Sequence, residues 1–231
     1  MKYQNVVKGI FLSRPNRFIA KVNINGKEET VHVKNTGRCK ELLVNGAIVY
    51  LSESDNPLRK TKYDLIAVEK TLQDGSLILI NMDSQIPNNV VCEFLENSGL
   101  FSNEAIIKRE VTFENSRFDI FVEDGNKKAF IEVKGVTLEK DGLALFPDAP
   151  TERGVKHLRE LIKAKKQGYE AYVFFVIQMD NILKFSPNSK MHDEFSVALR
   201  EAYENGVNIL AYNCKVTNDS IKINRKVSVI L

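Results

Sequence analysis

Six short alternating or apolar runs fill the first 81 residues, separated by turn signals. The runs are Val6–Leu12, Arg17–Ile24, Thr30–Lys34, Ala47–Leu51, Tyr63–Lys70 and Ser76–Ile80. Between them stand Arg14-Pro15-Asn16, Asn25-Gly26, Asn45-Gly46, Asp55-Asn56-Pro57 and Asp74-Gly75. Alternation with a period of two puts successive side chains on opposite faces of a strand, and Asn-Gly between two such runs favours a two-residue hairpin. A short helix is expected at Cys39–Val44. Short strands at this spacing predict a small barrel of the oligonucleotide-binding (OB) type over residues 1–81, with an SH3-like barrel as the alternative.

From Asp83 the hydrophobic period changes, which places a second domain at 82–231. A helix is expected over Ser84–Asn97, with Val90, Val91, Phe94 and Leu95 on one face. Strands follow at Arg109–Phe113, Arg117–Glu123 and Lys128–Lys134, then a connecting segment at Gly135–Pro147. A helix at Thr151–Gln167 stops at Gly168, a buried strand spans Tyr172–Gln178, a helix covers Asp193–Asn205 and a strand covers Val207–Tyr212. The chain closes with a hairpin turning at Asn218-Asp219-Ser220. Strands alternating with helices imply parallel crossovers, hence a mixed α/β sheet.

Of the 231 residues, 43% are hydrophobic and 27% charged, a balance that excludes wholesale disorder. The longest apolar run, Val173–Ile177, is far shorter than the roughly 20 residues of a membrane span. The N-terminus lacks the apolar stretch of a secretory signal, so a cytoplasmic protein is expected. Cys39, Cys92 and Cys214 are far apart and form no C-x-x-C, so they read as ordinary reduced thiols. A net charge of +3 is too small to argue for nucleic acid by itself, so any basic surface must come from local clustering.

The hairpin at 117–134 carries the chemistry. With its turn near Gly125, Asp119 lies opposite Glu132, and Lys134 projects on the same face two residues on. Phe121 and Phe130 share that face, which encloses it. Phe118, Ile120 and Val122 are expected on the other face with Ile131 and Val133. Two carboxylates at this spacing can hold a divalent cation through oxygen. Such a cation lowers the pKa of bound water and stabilises charge on phosphate, while a lysine beside it orients water or neutralises phosphorane charge. The spacing is the D-x(n)-[DE]-x-K constellation of metal-dependent phosphodiesterases. As a bare pattern it is common, and a solvated E-V-K strand reads the same way.

Several other residues are candidates. Glu110 would add a third carboxylate and Gln178 ends a strand where α/β sites gather. On the helix at 151–167, Arg153, Lys156 and His157 could contact phosphate oxygens, although charged helix faces are usually just solvated. His157 is alternatively a proton shuttle or a surface histidine, and His32 and His192 read as structural or surface residues. Asn35-Thr36-Gly37-Arg38 is a polar turn whose Arg38 suits a phosphate or an ordinary loop. Walker A, dinucleotide, zincin and nucleophile-elbow motifs are all missing, so nucleotide-fuelled transfer, nicotinamide redox chemistry, zinc proteolysis and the usual serine hydrolysis lack support.

These stretches, together with Ser116–Asp119, Ile131–Lys134, the run F-P-D-A-P-T-E-R-G-V-K-H-L at Phe146–Leu158, and Gly206–Tyr212, resemble the sugar fermentation stimulation protein family in order along nearly the whole chain. The resemblance implies an N-terminal OB-like domain joined to a PD-(D/E)XK nuclease-like α/β domain. It implies nucleic-acid binding, with DNA the favoured partner and RNA left open, and Mg²⁺- or Mn²⁺-dependent hydrolysis. The family's Asp and Glu-x-Lys fall on Asp119, Glu132 and Lys134, with Asp119 and Glu132 as metal ligands. The alternative it carries is a catalytically silent DNA-binding regulator linked to sugar (maltose) metabolism. Pro150 and Met179 depart from the family pattern, the second where a basic residue often stands. The oligomeric state is open, a homodimer included.

Overall fold

The structure is a computed structural model that describes every residue except Thr36. The first unit consists of β1 (Val6–Asn16), β2 (Ile19–Ile24), β3 (Lys27–Val33), β4 (Ile48–Glu53), β5 (Tyr63–Thr71) and β6 (Leu77–Asn81). Their order is β3-β2-β1-β4-β5-β6. A parallel pairing of β3 with β5, His32 opposite Asp64 and Val33 opposite Leu65, closes five strands into the barrel. Ala20, Val22, Val31, Val49, Leu51, Leu65 and Val68 fill it at 1% exposure or less. Cys39–Val44 is a set of turns rather than a helix. Cys39 sits at φ +45°, outside helical space, and Asn45-Gly46 follows too soon for a second turn to form.

The second unit contains α1 (Pro87–Leu95), β7 (Ile106–Phe113), β8 (Ser116–Asp124), β9 (Lys127–Val136), β10 (Leu138–Lys140), β11 (Leu143–Phe146), α2 (Glu152–Lys166), β12 (Glu170–Ile177), β13 (Lys184–Pro187), α3 (Asp193–Glu204), β14 (Asn208–Val216), β15 (Ile221–Lys226) and β16 (Ser228–Val229). The main sheet runs β15-β14-β12-β9-β8-β7. Its centre, β9-β12-β14, is parallel, and its edges are antiparallel. The segment Gly135–Pro147 is therefore a strand end and a hairpin rather than a simple connector, and β10-β11-β13-β16 forms a small second sheet. Strands of three and four residues leave no periodic trace in sequence.

β12 is buried on both faces, which is why it reads as an apolar run. Val173, Phe175 and Ile177 pack in one layer with Val155, Leu158 and Leu161 of α2 and Phe195 and Leu199 of α3. Phe174 and Val176 pack in the opposite layer with Val90, Val91 and Leu95 of α1. α1 starts at Pro87, three residues later than the periodicity suggests, because proline suits the first helical turn. The units are joined side by side. Asn81 N–H donates to Gln178 O at 2.9 Å, and Tyr3 N–H donates to Asp219 O at 2.7 Å. Among the described residues no helix is long and apolar enough to cross a membrane.

Candidate functional site

The hairpin of β8 and β9 turns at Asp124–Lys127, with Gly125 at φ +58°. The pairs Ile120↔Ile131 and Phe121↔Phe130 put Asp119 level with Glu132, the register that alternation predicts. On the other side of β8 the ladder skips a pair. Arg109 pairs with Ile120 and Val111 with Phe118, while Glu110 between them sits at φ +55°. Across this irregularity the alternation changes phase. Phe118 packs with Phe121 and Phe130, whereas Ile120 belongs to the opposite layer. Phe118 therefore does not share a face with Ile120, as strict alternation requires.

At the skipped pair the Asp119 carboxylate turns onto its neighbours. Oδ2 accepts from Val133 N–H at 2.8 Å and Oδ1 from Asn88 Nδ2 of α1 at 2.9 Å. Glu132 is 2% exposed. Its Oε1 accepts from Lys134 Nζ at 2.5 Å and from His157 Nδ1. Arg153 Nε donates to His157 Nε2 at 3.4 Å. A guanidinium only donates, so Nε2 accepts and the imidazole proton sits on Nδ1, pointing at Glu132. Glu132 Oε2 is buried and, among the described residues, has no partner. A bare buried carboxylate oxygen is costly unless a cation or donor meets it. The donor set is all oxygen, a fixed carboxylate on β8 and a lone oxygen level with it on β9, and it fits a hard divalent cation.

The two carboxyls are driven apart in acidity. Burial pushes Asp119 above its ordinary value, and the Glu132 charge adds to this; Val133 N–H, Lys134 and Asn88 oppose it without cancelling it. Burial also acts to raise Glu132, but Lys134 and His157 outweigh it and hold that carboxyl below its ordinary value.

The remaining candidates fall in different places. His157, expected on a phosphate-facing surface, is 5% exposed and held against Glu132, because its position on α2 lies over β9 rather than toward solvent. Gln178 is 1% exposed, and its Nε2 donates to Asn81 O, Asn81 Oδ1 and Asp83 O at 3.0–3.2 Å. It is a clamp between the units, and none of its hydrogen bonds reaches the carboxylate pair. Glu110 is exposed and pairs with Arg117 at 3.5 Å, with no bond to Asp119 or Glu132. Met179 is fully buried. Arg153 and Lys156 are exposed on α2, Lys156 Nζ reaching Asn115 O at 2.8 Å. Arg38 is exposed on the barrel; Thr36 of the same turn lies outside the described residues.

Sequence reasoning missed Asn88, the Asp119 partner, for which no motif signals. It also missed the seam between the two family stretches: Gly37 packs against Asp148 Oδ2, leaving no space for a Cβ. A separate trio, Glu152, His192 and Glu194, clusters at the surface, but Glu194 already holds Arg159 at 2.9 Å.

Comparisons with known proteins divide the chain in the same way. A family model described as "SfsA N-terminal OB domain" matches residues 12–80, and one described as "Sugar fermentation stimulation protein RE domain" matches residues 85–220. A sugar fermentation stimulation protein homolog of Desulfitobacterium hafniense (strain Y51) is 61% identical over 231 residues, covering 100% of this chain and 99% of its own. One from Clostridium beijerinckii is 57% identical and covered in full. Among solved structures, "The structure of Pyrococcus Furiosus SfsA in complex with Ca2+" is similar with a TM-score of 0.88 and 29% identity, covering 100% of this chain and 98% of that one.

Proposed function

The chain belongs to the sugar fermentation stimulation protein family, and from that premise we propose that it is a nucleic-acid-binding protein that hydrolyses phosphodiester bonds with a divalent cation, Mg²⁺ or Mn²⁺, held by Asp119 and Glu132. The observation that carries this reading is the bare, buried Glu132 Oε2 beside a fixed Asp119, with the Lys134 ammonium at the same carboxylate. The Pyrococcus furiosus protein was solved in complex with Ca²⁺, a cation of the same oxygen-seeking kind.

Bound there, the cation supplies positive charge at the phosphate and acidifies a coordinated water. The protein's own groups do the rest. Val133 N–H and Asn88 fix the Asp119 carboxylate. His157 and Lys134 hold Glu132 by one oxygen and leave the other free. Lys134 carries three donor hydrogens and uses one on Glu132, so it retains donors for a non-bridging phosphate oxygen or for the attacking water. Arg153 and Lys156, on the exposed side of α2, offer charge to an adjacent phosphate. DNA is the proposed substrate in preference to RNA, and the three unpaired cysteines suit the reducing cytoplasm.

The test is incubation with labelled single- and double-stranded DNA and RNA in Mg²⁺, Mn²⁺ or EDTA, with Glu132→Gln in parallel. Metal-dependent cleavage lost in the variant supports the reading. Binding that persists in EDTA with every substrate left whole in metal overturns it in favour of a silent regulator.

A further inference from the structure

On the barrel, between the β1–β2 turn and residues 37–43, lies a pocket of about 310 Å³. Arg14, Arg17, Arg38 and Lys40 line it together with Gly37 and Leu43, and no carboxylate does. Among the described residues none of these four cations is in an ion pair. Charged side chains elsewhere on this protein are commonly paired, as Lys21 with Glu28 or Lys62 with Glu53, so four cations outside any ion pair around one hollow concentrate positive charge there. The pocket is also built. The Arg14 guanidinium donates to the carbonyl oxygens of Arg17, Asn35, Gly37 and Arg38 at 2.6–2.9 Å. This fixes the β1–β2 turn against the 37–38 backbone and spends Arg14 on structure, so the free heads are those of Arg17, Arg38 and Lys40. Phe18, next in the chain to Arg17 in the turn between β1 and β2, is 51% exposed. A large exposed apolar ring, one residue on from an arginine that lines a basic hollow, offers an unpaired nucleotide a face for its base and cations for its phosphates.

We propose that this pocket and Phe18 bind single-stranded nucleic acid, Phe18 stacking a base while Arg17, Arg38 and Lys40 take its flanking phosphates. This rests on the reading above that the chain binds nucleic acid, and it sharpens that reading to an unpaired strand. A duplex keeps its base faces covered and has nothing to offer Phe18. The position favours delivery to the metal-site unit. Gly37 of the pocket packs on Asp148, and three residues later Thr151 caps α2, the helix that carries His157.

The test is fluorescence anisotropy in EDTA, so that no cleavage intervenes, with labelled oligo(dT), oligo(U) and a DNA duplex of equal length. The proteins are the wild type, Phe18→Ala, and the double variant Arg17→Ala/Arg38→Ala, all at exposed positions where the melting temperature should hold. Single strands should bind more tightly than duplex, the two oligonucleotides telling which sugar is preferred. Phe18→Ala should weaken single-strand binding about fivefold or more, with the salt dependence unchanged. The double variant should lower the slope of log K against log salt by about 1.4, two phosphates at roughly 0.7 each. Variants that bind like the wild type overturn the pocket while leaving nucleic-acid binding to another surface. Duplex bound as tightly as single strand overturns the unpaired-strand assignment. A wild type that binds none of the three overturns the nucleic-acid reading itself.

Discussion

The two oxygens of Glu132 stand in different surroundings, Oε1 under Lys134 and His157 and Oε2 bare. His157 is buried against Oε1, so in the proposed metal site its part would be to fix which oxygen faces the cation. His157→Phe should therefore lower Mn²⁺ affinity about tenfold, the scale of losing a residue that orients a ligand, while His157→Asn, which keeps an N–H near the Nδ1 position, should recover most of it. Calorimetric titration with Mn²⁺ reads this directly, and equal loss in both variants would sink the positioning role. Alternation made Asp119, Glu132 and Lys134 legible as a group. The depth of His157 was not legible, because helical period tells which residues share a face but not what that face meets. Asp64 makes a second case. Burial works to raise its carboxyl, but hydrogen bonds from Arg59 and His32 and the charge of Lys34 bring it from an ordinary 3.8 to about 2. A depressed folded-state value stabilises above the ordinary one and loses that contribution as pH falls through the folded one. Asp64 should thus contribute about 2 kcal/mol at neutral pH. Urea unfolding should show that loss between pH 4 and 2 in the wild type and its absence in Asp64→Asn; parallel pH curves for the two proteins would refute it.

At the scale of elements, β9 shows what a strand must give up to serve a site. Glu132 and Lys134 face the candidate site, Val133 packs against α1, and Gly135 follows where the strand passes between α1 and the end of β12. A Cβ there would lie 2.5 Å from Gln178 Oε1 and 2.9 Å from Pro87 Cγ. Gln178 cannot swing away, because its amide nitrogen is committed to three acceptors across the seam. Gly135→Ala should cost about 1–3 kcal/mol, as overpacking does, and Gly135→Ala combined with Gln178→Ala should recover part of it. Denaturant midpoints for the single and double variants test this; simple additivity would rule out the clash. The strands and helices of this unit were legible where they were apolar throughout, as β12, or long with a periodic apolar stripe, as α2. The hairpin β10–β11 was not, since its three and four residues are held by pairing with β13, roughly 40 residues downstream. Gln178 was misplaced for a related reason: a polar residue at a strand end points to a site only when no other chain segment comes to claim it.

Across the whole molecule the two units share their cores. One layer joins barrel residues such as Leu65 and Val68 to Phe130 and Phe175, and the other joins Tyr3 and Ile66 to Ile120 and Val176. The first residues reinforce this, since the Met1 ammonium pairs with Glu93 at 2.6 Å and Ile221 N–H donates to Met1 O at 3.1 Å. A boundary at residue 81, natural from the change of period, marks where one pattern ends, while the packed core runs across it. The charge pair at the seam supplies the test. Lys70 Nζ of β5 meets Glu139 Oε2 of β10 at 2.5 Å, with the Glu139 side chain 3% exposed. Lys70→Ala strands a carboxylate in the interior and should cost about 3–5 kcal/mol, whereas Lys70→Met/Glu139→Leu removes both charges and should recover most of that. If the units form one cooperative body, calorimetry of the wild type gives a single transition whose calorimetric and van't Hoff enthalpies agree, and Lys70→Ala moves it whole to lower temperature. Two transitions, or one shoulder moving while the other stays, would mean that the shared core does not couple the units. The basic pocket on the barrel and the carboxylate pair on the sheet would then have to act as tethered modules rather than as one surface.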